Sequence, residues 1–84
     1  MYELLIEAGV ETDLKRLSPH TFHRVIARVK ALAGNPRPSG CRKITGSKSD
    51  WRIRVSDYRV VYSIDDESRA VYILRVRHRS EAYR

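Results

Sequence analysis

Residues 51–62, Trp51-Arg52-Ile53-Arg54-Val55-Ser56-Asp57-Tyr58-Arg59-Val60-Val61-Tyr62, admit few folds. They read as two β-strands joined by a tight turn. On the first, Trp51, Ile53 and Val55 alternate with Arg52 and Arg54. Period-two side chains point to opposite faces of a sheet, so one face is apolar and the other carries two guanidinium groups. The two arginines have Cα atoms roughly 6.5–7 Å apart. Ordinary packing requires no such pair, and a polyanion satisfies it.

The apolar face needs cover, and the N-terminal third supplies it. Residues 2–7 read as a strand with Tyr2, Leu4 and Ile6 on one side. Over residues 10–17, Val10, Leu14 and Leu17 are spaced as one stripe of a short helix. Ser18-Pro19 is an N-cap followed by proline at the first helical position. The second helix carries Phe22, Val25, Ile26, Val29 and Leu32 at helical spacing. Gly34 is placed for a left-handed C′ residue, and Asn35-Pro36 prevents continuation. The linker at 35–40 holds two prolines and is stiff. Strands are then expected at 41–44, 51–55, 58–64 and 70–77, with a polar turn at 45–50 and an acidic turn at 65–68. Short connections make them antiparallel neighbours. The expected architecture is α+β: an N-terminal strand, an αα-hairpin, then a mostly antiparallel sheet with the helices packed on one face.

With 84 residues there is room for one domain, taken as 1–84. The net charge of +7 favours an anionic partner. It is uneven: residues 1–34 hold five Lys/Arg against four acids, and residues 35–84 hold twelve against six. No apolar run approaches the ~20 residues of a membrane span. The N-terminus lacks the basic region and apolar run of a signal peptide, so a cytoplasmic location is the expectation. Cys41 is the single cysteine, which excludes an internal disulfide and supplies no metal cluster. No cofactor and no metal are expected.

The chemistry collects opposite the helices. Arg52 and Arg54 come from one strand, Arg59 follows the turn, and the last strand brings Arg75 or Arg77, with Arg79 and Tyr83 beyond. Converging guanidiniums bind phosphate bidentately. Lys43, Lys48, Arg75 and Arg79 are the further cations assigned to holding such a ligand. Arginine stays protonated at any working pH, so it cannot accept a proton. The proton carriers within reach are His78, which titrates near neutrality, and Tyr83, whose pKa neighbouring arginines would lower. No Gly-rich phosphate loop, metal-ligand spacing or nucleophile motif is present. Arginine plus tyrosine points to metal-free RNA cleavage, in which the ribose 2′-OH is the nucleophile and the protein stabilises charge. Trp51, Tyr58 and Tyr62 are expected in the core, and Asp65-Asp66-Glu67 as a solvated turn.

Residues 51–55, then 57–62, then Arg77-His78-Arg79-Ser80-Glu81-Ala82-Tyr83-Arg84 closely resemble the RelE/ParE toxin superfamily, over nearly the whole chain. The likeness is greatest to the RelE branch. It implies a toxin of a type II toxin–antitoxin pair, a ribosome-dependent endoribonuclease. Such a toxin cuts mRNA in the A site to a 2′,3′-cyclic phosphate and a 5′-hydroxyl. The implied partners are a cognate antitoxin, in a hetero-oligomeric complex, and the ribosome with its mRNA. By position, Arg52 and Arg54 stand where that branch has two lysines, Arg59 matches a phosphate-stabilising arginine, and Arg77 matches a second basic residue. Tyr83 matches a tyrosine that stacks on or activates the target nucleotide. His78 stands where that branch is acidic. The other branch, ParE-like and inhibiting DNA gyrase without catalysis, is the alternative the resemblance leaves open.

Overall fold

The computed structural model describes residues 1–81. In chain order the elements are β1 (Glu3–Ile6), α1 (Ala8–Lys15), α2 (Pro19–Ala31), β2 (Arg42–Lys43), β3 (Asp50–Val55), β4 (Tyr58–Asp65) and β5 (Ala70–His78). They form one five-stranded sheet ordered β1-β5-β4-β3-β2. Its pairings are antiparallel except for β1, which lies parallel to β5. The α+β expectation holds, with two helices covering one face. Among the described residues, no helix is long and apolar enough to cross a membrane.

The covered face follows from alternation. Ile53 and Val55 of β3, Val60, Tyr62 and Ile64 of β4, and Val71, Ile73 and Val76 of β5 form one buried cluster with Val10 of α1, Val25 and Val29 of α2, and Leu32 just after it. Ser18 caps α2 as its spacing predicts: its hydroxyl oxygen accepts from the Thr21 N–H at 3.3 Å, and Pro19 opens the helix. The other end differs from expectation. Gly34 does not adopt the left-handed conformation, which falls to Gly40 and Gly46 instead. A right-handed turn ends the helix, with the N–H groups of Gly34 and Asn35 both donating to the Ala31 carbonyl.

The linker is held against the sheet. Tyr62, fully buried, donates its hydroxyl to the Pro36 carbonyl at 2.7 Å, and the Arg37 guanidinium lies 5.1 Å over the Trp51 ring. Removing that hydroxyl strands a buried carbonyl. Tyr62→Phe is therefore expected to lower stability by about 1–2 kcal/mol. A shift of the urea midpoint with unchanged slope would record it.

The acidic turn is more than solvated. Asp65 Oδ1 accepts from the N–H groups of Glu67 and Ser68, closing the turn. Asp66 accepts from the Tyr2 hydroxyl at 2.6 Å and from both Arg37 terminal nitrogens, at 3.2 and 2.8 Å. Those bonds hold its carboxyl down to about 2. One aspartate thus joins the N-terminal strand, the linker and the β4–β5 turn.

One irregularity positions everything on the open face. Val61 pairs with Arg75 and Tyr62 with Ile73, so Leu74 is an extra residue in β5, a β-bulge. Strict alternation would send only every second residue inward. The bulge lets Ile73 and Val76 both face the core while Arg75 and Arg77 both stand on the other side.

Candidate functional site

The open face carries arginines in register. Arg54 lies directly opposite Arg59, and Arg59 directly opposite Arg77, a row across β3, β4 and β5. Adjacent strands lie ~4.8 Å apart, so the row spans about 10 Å. Like charges directly opposite each other destabilise a sheet, typically by up to ~1 kcal/mol per pair. Two such pairs in one row are a feature that folding alone does not favour, and an anionic ligand relieves it.

Around this row is a cavity of about 460 Å³, with Lys43, Arg52, Arg59, Arg75 and Arg77 in its lining. These come from β2, β3, β4 and β5. A neighbouring depression brings Arg79 together with Arg54 and Arg59. Arg79 is fixed there by its backbone N–H, which donates to the Asp57 carbonyl at 2.7 Å. The structure thus assembles Arg52, Arg54, Arg59, Arg75, Arg77, Arg79 and Lys43. Lys48 lies in the exposed turn between β2 and β3 and is not among the residues lining this cavity.

His78 is not brought to the arginines. It follows Arg77 directly on β5 and so stands on the opposite side of the strand. There it pairs with Tyr58, its ring edge-on at 5.2 Å. Its Nδ1 accepts from the Ser80 backbone N–H at 3.2 Å and lies 2.9 Å from the Ser80 hydroxyl. The physical reason is the period of the strand, which separates adjacent residues. Tyr83 lies outside the described residues.

Two acids escaped the sequence reading. Asp13, only 4% exposed, clamps the bulge from α1. Its Oδ2 accepts from Arg75 Nε at 3.0 Å and from the Val76 N–H at 2.9 Å, and its Oδ1 accepts from Arg75 Nη2 at 3.0 Å. Burial pushes this carboxyl up, but the bonds from Arg75 and the Val76 N–H outweigh it and hold it below the ordinary value. The signal was available: Asp13 interrupts the stripe of Val10, Leu14 and Leu17. The second acid, Glu81, lines the arginine cavity. Its N–H donates to the His78 carbonyl at 2.9 Å, in a turn that folds the tail back toward the sheet. The bond to Asp13 raises Arg75 above its usual pKa, and the charge of Glu81 adds to that.

Chemically the cavity can grip phosphate oxygens from several directions and stabilise added negative charge on them. Its arginines cannot take a proton. Among the described residues, no group of three His, Cys, Asp or Glu side chains is placed to hold a metal ion.

Residues 4–83 match the family described as the ParE toxin of type II toxin–antitoxin system, parDE. The chain is 32% identical over 90 residues to the toxin RelG of Mycobacterium tuberculosis, covering 99% of this chain and 97% of that protein. Its structure superposes on the archaeal RelE–RelB complex from Pyrococcus horikoshii OT3 with a TM-score of 0.84 at 27% identity, covering 96% of this chain and 98% of that one. The isolated RelE toxin of E. coli has the same fold, with a TM-score of 0.80 at 22% identity and coverage of 99% and 96%. With the family matched along nearly its full length and the fold shared with toxins from bacteria and archaea, this chain belongs to the RelE/ParE superfamily of type II toxin–antitoxin toxins.

Proposed function

We propose that this toxin is an endoribonuclease that cleaves mRNA in the ribosomal A site, leaving a 2′,3′-cyclic phosphate and a 5′-hydroxyl. The observation that carries this reading is the row Arg54–Arg59–Arg77, whose Arg59 and Arg77 line one cavity together with Arg52 and Arg75. The ribose 2′-oxygen attacks the adjacent phosphorus, the 5′-oxygen leaves and takes a proton from solvent water, and the arginines stabilise the charge that accumulates on the phosphoryl oxygens. The enzyme contributes orientation and electrostatics, since the nucleophile belongs to the substrate. The 2′ proton goes to a group outside the arginine set, with Glu81 and Tyr83 the tail residues able to accept it. His78 is not assigned this role, because it stands on the other side of β5.

An antitoxin of the RelB kind is the partner this reading assigns, since the archaeal relative at 27% identity is a RelE–RelB complex. The toxin then works in the cytoplasm, where translating ribosomes are.

The test is 5′-end mapping of mRNA after induction, together with purified toxin acting on programmed ribosomes with no metal beyond what ribosomes require. Cuts within coding sequences that carry the expected end groups support the reading. Growth arrest with intact mRNA overturns it. Arrest with accumulating DNA damage transfers the protein to the gyrase-directed branch, which the match to the ParE family keeps in play.

A further inference from the structure

A second cationic cavity adjoins the first. It measures about 580 Å³ and is lined by Arg28, Arg42, Lys43, Arg52 and Arg54 with the Ser39-Gly40 backbone, and no acid lines it. Lys43 and Arg52 line both cavities, so the two share part of their walls. Arg28 comes from α2, Arg42 and Lys43 from the two-residue edge strand, and Arg52 and Arg54 from β3. Arg28 is near the end of its helix, where a cation complements the helix dipole without any ligand. That account does not extend to Arg42, which sits directly opposite Arg52 in the register. A like-charged pair there repeats the unfavourable arrangement of the first cavity. Arg28, Arg42, Lys43 and Arg54 are all exposed and accessible to a ligand. The left-handed backbone of Gly40, at φ 89°, turns the chain where it joins this edge.

We propose that the second cavity holds a backbone phosphate of the same RNA strand whose scissile phosphate occupies the first, so that the strand runs from β5 to the β2 edge. The inference rests on the RNA reading of the first cavity and extends the bound strand by at least one phosphate. Two cavities that share Lys43 and Arg52 lie next to each other, and a single strand carries successive phosphates to offer to both. Ribosomal RNA offers the same phosphate chemistry, and the experiment separates the two sources.

Binding of a fluorescent single-stranded ribo-oligonucleotide, 2′-O-methylated throughout to prevent cleavage, is measured by anisotropy over a salt series. Wild type is compared with Arg28→Gln/Arg42→Gln, and with Lys15→Gln/Arg16→Gln, two exposed cations at the end of α1, as a control of equal charge loss. The first double variant is expected to bind about fivefold more weakly at 0.1 M salt and to lose about 0.7 from the salt slope, the value for one single-strand phosphate contact. The control should lose little of either. The single variants Arg28→Gln and Arg42→Gln are each expected to show part of the loss, with thermal melts matching wild type.

Equal losses in both doubles, or no loss in either, overturn the proposal. So does a loss seen only in sedimentation with message-free ribosomes, which would assign the phosphate to ribosomal RNA. Failure of the cleavage reading looks different: intact mRNA with wild-type toxin, while the oligonucleotide data keep their dependence on Arg28 and Arg42.

Discussion

Alanine in place of Arg59 is expected to slow single-turnover cleavage of ribosome-bound mRNA by about 10²–10³-fold, the usual consequence of removing one donor from a transition-state charge site. Arg59 is the middle of the row, opposite Arg54 on one side and Arg77 on the other, and it lines both the main cavity and its neighbour. A charge there reaches a phosphoryl group held in either of them. Lysine at the same position keeps the charge but loses the planar fork, so Arg59→Lys should fall between wild type and alanine. Rapid-quench measurement on programmed ribosomes separates the chemical step from binding. Wild-type rates in Arg59→Ala, with circular dichroism confirming the fold, would remove Arg59 from the reaction.

The second large effect is expected at Asp13. Its carboxylate receives three hydrogen bonds, two from the Arg75 guanidinium and one from the Val76 backbone. Asp13→Ala leaves the Val76 N–H without its acceptor and Arg75 without its counter-charge. Breaking a fully buried pair costs 3–5 kcal/mol, but the Arg75 side chain is 43% exposed, so about 3 kcal/mol is the expected loss. Urea unfolding reads it directly. Cleavage should also fall, because the same three bonds hold the bulge that turns Arg75 and Arg77 away from the face of Val71 and Ile73. A stability change under about 1 kcal/mol would mean that the clamp contributes little.

The clamp also sets a pH dependence. The folded-state pKa of Asp13 is held below its ordinary value, so the native state favours the ionised form. Its contribution is complete above the unfolded carboxylate pKa and disappears as pH falls through the lower, folded one. Asp66, held down to about 2, adds to the same acid-side loss. Asp13→Ala should therefore flatten the decline in stability on acidification relative to wild type.

Much of this was legible locally. The Ser18-Pro19 start of α2, its apolar stripe and the alternation of Trp51, Ile53 and Val55 with Arg52 and Arg54 are short-range patterns, and the structure follows them. The misreadings arose where a distant partner decides. Gly34 was placed for a left-handed cap, but the chain ended its helix with a right-handed turn that needs no glycine. His78 was grouped with the arginines by nearness in sequence, though adjacent strand residues face apart. Asp66 looked like one acid of a solvated turn until the fold delivered Tyr2 and Arg37 to it.

Returning to residues 51–62, their sequence by itself determined a strand pair with an apolar side and an arginine side, because side-chain direction in a strand depends only on the parity of position. It could not determine which side of the sheet Arg75 and Arg77 would take, since strict alternation puts both with Ile73. That was decided by the bulge at Leu74 and by Asp13, which lies 62 residues from Arg75 in the chain. An inserted residue shifts parity without leaving a local signature, and it is stable only when another element takes up the displaced N–H and charge. The same dependence on distant elements brings Arg28 of α2 to a cavity that it lines together with Arg42 and Arg52.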